Sequence, residues 1–332
     1  MAAIAWQRRG CMLTPQDIDA AAHRIAPHVR RTPVLHVPGT EFGVDVPIVL
    51  KLEFLQHTGS FKPRGAFNRI LGAAVPRAGV IAASGGNHGA AVAYAAQRLG
   101  IPAEIFVPHA APAIKVQRIA NFGARVVQGG ASYAEAFLAS RDRQAETGAL
   151  EVHAYDHQDV LAGQGTVARE LETDAPGLTH VLAAVGGGGL LGGIAAWYAG
   201  RAEIVGVEPA LCPALHVALA AGRPQPAEVG GIAADSLGAR QVGALMFAIA
   251  ARYVARSVLV SDAAIQQAQL LLWERFRLIA EPGGATALAA LTSGAWVPPQ
   301  GAQVGVVICG ANTDPAIVAA LSDVSRETAG AG

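Results

Sequence analysis

The fold is decided by the stretch Val181-Leu182-Ala183-Ala184-Val185-Gly186-Gly187-Gly188-Gly189, an apolar run followed by four glycines. A short apolar run bounded by glycines predicts a buried strand, and a helical pattern begins near Leu190. Four glycines let the backbone approach an oxygen-rich group from several directions, as a phosphate-binding turn requires. Tight packing of a strand against a helix would also explain them. The contiguous glycines fit neither a dinucleotide fingerprint nor a P-loop.

A second glycine-rich turn, Ser84-Gly85-Gly86-Asn87-His88-Gly89, also lies between a strand pattern and a helix pattern. It follows an apolar run at 79–83 and precedes a helical pattern over 90–99. Free backbone N–H groups and the positive end of the helix dipole would face a ligand there. We therefore expect this turn to bind an anionic group, with tight packing again the alternative.

Strand and helix patterns alternate along most of the chain. Such alternation predicts an α/β fold with open parallel sheets covered by helices on both faces. Residues 222–234 are rich in glycine and proline and predict a loop. The expected strands are 48–52, 80–83, 104–107, 125–127, 181–185, 204–207, 258–260 and 304–308, and the expected helices include 90–99, 112–122, 132–146, 164–172 and 262–277.

Composition limits the partners that we expect. The chain has 332 residues and no net charge, which argues against nucleic acid or an anionic membrane as the main partner. Cys11, Cys212 and Cys309 show no metal-type spacing, so we expect a reduced, cytoplasmic setting. Residues 1–13 lack the apolar core of a signal peptide. Residues 181–199 carry no charge, but their central glycines predict strand, loop and helix instead of a membrane span.

Lysine is rare in this chain, and one lysine lies in a distinctive frame. Only Lys51, Lys62 and Lys115 are present, and Lys62 lies within Ser60-Phe61-Lys62-Pro63-Arg64-Gly65. An amine that must lose its proton and attack a carbonyl has to be lysine, because arginine stays protonated. The apolar neighbours of Lys62 would lower its pKa. Lys62 is therefore the candidate nucleophile and general base.

These motifs together resemble the fold-type II pyridoxal-phosphate (PLP) enzymes, the tryptophan synthase β-like fold, and within them the serine/threonine dehydratase group. The resemblance implies a small mobile domain at 79–153, a large PLP-binding domain at 1–78 and 154–332, and a homodimer. The segment after Cys309 is too short for the regulatory domain of biosynthetic threonine dehydratases, so we expect a catabolic variety. The matching segments are 51–56, 58–66, 84–89, 186–189, 281–285 and 309–312.

The resemblance also implies roles for the site residues. Lys62 would carry PLP and take the Cα proton of the substrate, while Cys309 would face the pyridine nitrogen. A thiol does not enforce a protonated ring, which suits β-elimination. The remaining cofactor contacts would be Phe61, Asn87, Gly186, Gly187, Gly188, Gly189, Gly238 and Glu281, although Asp235-Ser236-Leu237-Gly238 departs from the commoner Asp-Gly pattern. The substrate contacts would be Ser84, Gly85, Gly86, Asn87 and His88, with Ser84 and the turn binding the carboxylate.

Two departures from relatives carry further expectations. Gly85 stands where serine racemases have a second acid/base serine, so we expect elimination instead of racemisation. Glu208 matches one cation ligand of racemases, but Ala214 stands where an aspartate should be. A site poor in carboxylates suits Mg²⁺ or Ca²⁺ badly, so we expect no metal.

The resemblance predicts dehydration and deamination of L-serine or L-threonine to pyruvate or 2-oxobutanoate and ammonia. One alternative is a dehydratase of another 3-hydroxy amino acid, such as phenylserine, 3-hydroxyaspartate or a substrate derived from hydroxyectoine. A serine racemase and a non-catalytic amino-acid-binding protein remain further alternatives, although Lys62 argues against the last.

Overall fold

The computed structural model describes residues 12–321. Cys11 and nearly all of the segment considered for a signal peptide lie outside the described residues. The strands are β1 Val34–Val37, β2 Ile48–Leu52, β3 Val80–Ala83, β4 Ala103–Val107, β5 Arg125–Gln128, β6 Leu150–Glu151, β7 His180–Ala184, β8 Glu203–Pro209, β9 Val254–Val260 and β10 Val304–Ile308.

The α-helices cover both sheets, and several begin at signals visible in the sequence. Thr14 forms a capping box with Asp17, and Pro63 and Pro282 occupy first-turn positions where no intrahelical N–H bond is lost. The helices are α1 Pro15–Ile25, α2 Pro63–Leu71, α3 Asn87–Leu99, α4 Ala113–Asn121, α5 Tyr133–Thr147, α6 Gln158–Asp174, α7 Gly189–Tyr198, α8 Ala214–Ala221, α9 Ala234–Leu237, α10 Ala244–Tyr253, α11 Asp262–Phe276 and α12 Pro282–Thr292.

The larger sheet has six strands in the order β1-β2-β10-β7-β8-β9. All pairs are parallel except β1 with β2, which are antiparallel. Every residue of β2 and β10 is buried, including Lys51 of β2, as expected for strands covered on both faces. The last strand in the sequence therefore lies near the centre of this sheet.

The smaller sheet has four parallel strands in the order β5-β4-β3-β6. All four strands fall within the predicted small domain 79–153, although the domain boundaries themselves stay a prediction. An α/β fold with two parallel-sheet domains is confirmed. The apparent apolar span at 181–199 is divided between β7, the glycine turn and α7. Among the described residues no helix is long and apolar enough to cross a membrane.

Three details of the sheets differ from the sequence predictions. The predictions omitted β1, a short antiparallel edge strand between Pro33 and Pro38, and β6, which has only two residues. They also placed the start of β9 at residue 258, whereas β9 begins at Val254, directly after α10. Arg256 and Ser257 interrupt the apolar residues of β9, so periodicity does not reveal its first half. The predicted loop over 222–234 is confirmed, since α8 ends at Ala221 and α9 begins at Ala234.

Candidate active site

Lys62 lies directly before α2, and its segment is attached to the end of β10. The Phe61 amide donates to the Cys309 carbonyl at 3.2 Å, and Ser60 forms a β-bridge with Gly310. Pro63 then starts the helix. These contacts connect the lysine to the carboxyl edge of the larger sheet, where parallel sheets commonly bind ligands.

The Lys62 amine is held without a carboxylate partner in the described part of the chain. Its Nζ donates to the Ala154 carbonyl at 2.9 Å and lies 5.1 Å from the Phe61 ring centroid. Burial lowers the pKa of Lys62 to about 8, although the nearby acidic groups of Cys309 and Glu281 act in the opposite direction. A large part of the amine is thus neutral near pH 8 and able to act as nucleophile or base.

A chain of polar side chains crosses from the second glycine turn to α12. Asn312 donates to Asn87 Oδ1 at 2.5 Å, and Asn87 Nδ2 donates to Glu281 Oε1 at 2.6 Å. Burial raises the pKa of Glu281 to about 7. A Cβ on Gly310 would lie 2.0 Å from Glu281 Oε1, so only glycine leaves room for this carboxyl group. One Asn87 N–H remains free to donate to a ligand.

Cys309 has a buried thiol that stays protonated at neutral pH. Its Sγ lies 3.5 Å from the Gly283 carbonyl, to which it donates. Burial raises the pKa of Cys309 to about 12, assisted by the charge of Glu281. The residue therefore presents a neutral, weakly polar group beside Lys62.

The tetraglycine turn joins β7 to α7 and is covered by side chains that leave no room for a Cβ. A Cβ on Gly187 would lie 2.3 Å from the Tyr155 ring, and one on Gly188 would lie 2.5 Å from Met246. Gly188 also has φ +89°, a conformation that favours glycine. The first amides of α7 carry no intrahelical bond and form a potential anion site.

The turn at Ser84 lies at the carboxyl end of β3 and leads into α3. Ser84 Oγ accepts from the Gly86 amide at 3.2 Å, which fixes the turn. Gly85 has ordinary φ, and a Cβ there would meet Ala111 at 3.4 Å, a normal contact. Gly89 is different, because a Cβ would lie 2.0 Å from the Ser84 carbonyl oxygen.

The imidazole of His88 makes its hydrogen bond inside the protein. It is buried, and Nε2 lies 2.7 Å from the Val152 carbonyl oxygen, to which it donates as the neutral ring. Burial lowers the pKa of His88 to about 3. These contacts leave the backbone of His88 as the part that could bind a substrate.

The structure brings together most, but not all, of the predicted site. Lys62, Asn87, Glu281 and Cys309 form one cluster, and Tyr155, which follows the carbonyl partner of Lys62, leads to the tetraglycine turn. Gly238 packs against Ala234 and Val229, and it is Leu237 that contacts Gly186. A cofactor role for Gly238 stays a prediction.

Sequence reasoning did not find three contributors. The Ala154 carbonyl is a backbone atom that no side-chain pattern reveals, and Tyr155 has no distinguishing spacing. Arg118 of α4 donates to the Thr58 carbonyl, across to the Lys62 segment. An arginine on a helix usually indicates only a solvated face, so this contact had no signal in the sequence.

Glu208 uses both carboxylate oxygens inside the protein. They accept from the Leu215 amide at 2.6 Å and the His216 amide at 2.8 Å, and Ser257 also donates to them. Burial raises the pKa of Glu208. The carboxylate thus caps the start of α8, a role that a buried acidic residue can have in any case.

Comparison with known families identifies the family of the chain. The family described as pyridoxal-phosphate dependent enzyme matches residues 25–310. The chain belongs to this family. The resemblance stated from the sequence is confirmed, and the cofactor of this PLP enzyme is pyridoxal phosphate.

Three relatives show the extent of the similarity in sequence and structure. L-threonine ammonia-lyase of Thermotoga maritima is 37% identical over 91% of this PLP enzyme and 76% of its own length. Phenylserine dehydratase of Ralstonia pickettii is 36% identical over 92% of this chain and 96% of its own. The structure of maize serine racemase is similar with a TM-score of 0.87 and 32% identity, covering 96% of this chain and 99% of that one.

The residues present fit the cofactor of this PLP enzyme. A desolvated amine at Lys62 suits its aldehyde, and the glycine turn before α7 suits its phosphate. The free N–H of Asn87 suits its phenolic oxygen, and the neutral Cys309 thiol suits a ring nitrogen without a proton.

Proposed function

We propose that the protein dehydrates and deaminates L-serine and L-threonine, yielding pyruvate and 2-oxobutanoate with ammonia. The observation that carries this proposal is the Lys62 amine, desolvated and without a carboxylate partner in the described residues, beside the neutral thiol of Cys309. The 37% identity to an L-threonine ammonia-lyase supports the same reaction.

In this proposal, the Ser84 turn orients the substrate. The first amides of α3 and the Ser84 hydroxyl would bind the substrate carboxylate, because that helix end attracts anions. Asn87 would hold the cofactor ring in place, and its own orientation is fixed by Asn312 and Glu281.

In this proposal, Lys62 takes the Cα proton of the substrate. When bound, pyridoxal phosphate supplies an electron-withdrawing conjugated system that makes the Cα–H bond acidic. Lys62 Nζ would take that proton, since a pKa of about 8 keeps a useful fraction of the amine neutral. Cys309 offers the ring nitrogen no charge, which favours departure of the β-hydroxyl over accumulation of charge on the ring.

A panel of 3-hydroxy amino acids tests the proposal. Purified holoenzyme would be incubated with L-serine, L-threonine, phenylserine and 3-hydroxyaspartate, and keto acid and ammonia would be measured in equal amounts. We expect the highest kcat/KM with L-serine or L-threonine. Absence of keto acid from every substrate would overturn the proposal and favour a non-catalytic binding protein.

The second candidate is a dehydratase of another 3-hydroxy amino acid. Its support is the 36% identity to phenylserine dehydratase over nearly the whole length of both chains. The same panel decides between the two, because this candidate predicts the highest kcat/KM with phenylserine or 3-hydroxyaspartate. A substrate derived from hydroxyectoine belongs to the same class.

We also propose a movable small domain, a homodimer and a cytoplasmic location. The small domain would comprise residues 79–153 and close on the large domain, 1–78 and 154–332, when substrate binds. Small-angle scattering with and without substrate tests closure. Analytical ultracentrifugation tests the dimer, and cell fractionation tests the location.

A further inference from the structure

Thr58, which precedes Lys62 by one short turn, has a strained backbone conformation. Its φ of +62° lies in the left-handed region, which residues other than glycine rarely adopt. Such strain persists only where the surrounding contacts hold it, and it often marks a functional segment. The Thr58 side chain does not offset the strain, because its buried hydroxyl has no hydrogen-bond partner among the described residues. The contacts that hold this turn are made by the Thr58 carbonyl instead.

Two side chains from distant segments donate to the Thr58 carbonyl oxygen. Asn312, in the turn after β10, donates from Nδ2 at 2.8 Å, and Arg118 of α4 donates from Nη2. The neighbouring Gly59 has φ +72° and makes room for Asn312, since a Cβ on Gly59 would lie 2.5 Å from Asn312 Oδ1. The left-handed turn thus presents one carbonyl to two partners.

The Thr58 carbonyl fixes the direction of a chain of amide groups. A carbonyl only accepts, so Asn312 must turn its Nδ2 toward it, and the second N–H of that nitrogen donates to Asn87 Oδ1 at 2.5 Å. The side-chain oxygen of Asn87 is thereby occupied, and its Nδ2 donates to Glu281 at 2.6 Å. The remaining N–H of Asn87 is the one that suits the phenolic oxygen of the cofactor.

This network joins segments that belong to the two sheets. Arg118 of α4 and Asn87 of α3 come from consecutive helices beside the smaller sheet, whereas Thr58 and Asn312 follow β2 and β10 of the larger sheet. Burial lowers the pKa of Arg118, so its guanidinium is partly removed from water where it reaches the carbonyl. The network therefore forms only when the segments of the two sheets are in contact.

We propose that Arg118 is a positioning residue for the cofactor, which acts through the Thr58 carbonyl and Asn312 on the amide of Asn87. Without Arg118, the strained carbonyl loses one of its two donors, and the turn can relax from the left-handed conformation. The amides of Asn312 and Asn87 then lose their fixed direction. The orientation of Asn87 thus depends on the contact between α4 and the Lys62 segment.

Cofactor binding and absorbance test the inference without turnover. For protein stripped of PLP, Arg118→Met should weaken the binding of added PLP about tenfold, the loss expected when one hydrogen bond is no longer oriented. The ratio of the absorption bands of the bound cofactor should also change, because the Asn87 bond stabilises the ionised phenolic oxygen. Arg125→Met is the matched control, since Arg125 is exposed and pairs with Glu104 in the smaller sheet, and the affinity for PLP should stay within about threefold of wild type.

Asn312→Ala completes a double-mutant cycle. If Arg118 acts through Asn312, the double variant Arg118→Met/Asn312→Ala should bind PLP as Asn312→Ala alone does, within about threefold. Losses of affinity that add, or unchanged affinity and absorbance in Arg118→Met, would overturn the role of Arg118. Should circular dichroism show that Arg118→Met does not fold, the same cycle is run with Arg118→Gln, which has a shorter polar side chain.

These measurements keep the inference separate from the proposed function. The inference deepens that function and rests on it only for the cofactor contact of Asn87. No substrate enters the binding experiments. Absence of keto acid from every amino acid would therefore overturn the proposed function and leave the expected result of the cycle unchanged.

Discussion

Lys62 and Arg64 lie two residues apart at the start of α2, yet their surroundings are opposite. Arg64 is fully buried and bonds to two carboxylates, with Nε and Nη2 to Glu53 and Nη1 and Nη2 to Glu170, each at 2.8 Å. Burial alone would lower the pKa of Arg64, but the two carboxylates overcome it and raise the pKa. Within the described residues Lys62 Nζ donates only to the Ala154 carbonyl, and burial lowers the pKa of Lys62 to about 8.

Within this one segment, the surroundings leave Lys62 available to react and make Arg64 part of a buried ion-pair network. Glu53 and Glu170 are bound to Arg64, and Glu170 is also bound to Lys51, whose Nζ lies 2.8 Å from Glu170 Oε2. Lys51 is completely buried in that network and cannot reach a cofactor at Lys62. The two cations of this segment therefore have different roles: Lys62 is the expected nucleophile and base, and Arg64 stabilises the fold.

The largest effect on activity should follow from replacing Lys62. Lys62→Ala should lower keto-acid formation by about 10³-fold or more while the fold persists. Lys62→Arg should be equally inactive, because arginine does not lose its proton. Borohydride reduction and peptide mapping of wild type should place the pyridoxyl group on Lys62. A label on Lys51 or Lys115 would contradict the assignment.

Replacing Arg64 should affect the stability of the fold instead. Arg64→Met leaves the buried Glu53 and the partly buried Glu170 without their arginine partner and should reduce the free energy of unfolding by about 3–5 kcal/mol, measured by urea denaturation. Arg141→Met is the matched control, because Arg141 is exposed and lies 3.6 Å from Glu151, so its loss should be about 1 kcal/mol or less. Equal losses in the two variants would mean that the buried network contributes no more than a surface pair.

The pH dependence of cofactor attachment should distinguish Lys62 from an ordinary lysine. Only the neutral amine attacks the aldehyde, so the attachment rate to protein stripped of PLP should rise with pH and level off above the pKa of about 8. Stopped-flow absorbance measures this rate. A rate still rising in proportion to hydroxide at pH 9.5 would indicate the usual lysine pKa of about 10.4 and refute the desolvated environment.

A smaller effect concerns the face of the substrate opposite Lys62. Gly85 has no group to carry a proton, so wild type should form D-serine from L-serine about 100-fold more slowly than pyruvate. Gly85→Ser should gain measurable racemisation by chiral chromatography, since the site has room for a Cβ. Gly89→Ser is the control that should lose activity through steric clash. Wild type that accumulates D-serine as fast as pyruvate would refute the role of Gly85.

The smallest effect should be that of metal removal. Dialysis against EDTA should change activity by less than about twofold, because Glu208 is bonded to amides and Ala214 provides no ligand. Loss of activity that Mg²⁺ or Mn²⁺ restores would show a cation site elsewhere.

The sequence predicts the fold better than it predicts the site. Buried parallel strands such as β7 and β10 are largely apolar runs, so their composition and flanking glycines reveal them. Lys62 and both glycine turns are recognisable because each needs a particular residue type. The contact of Arg118 with the Thr58 carbonyl joins residues 60 positions apart in the chain, and a local sequence pattern carries no record of such packing.

The central position of β10 has a consequence for folding. This strand pairs with β2 on one side and with β7 on the other, although about 250 residues separate β2 from β10 in the chain. A ribosome-bound chain that has not yet exposed residue 308 cannot complete the larger sheet. Cys309 follows this strand and its carbonyl accepts from the Phe61 amide, so the cofactor pocket should assemble only after residue 309 has left the ribosome, and a chain stalled earlier should bind no PLP.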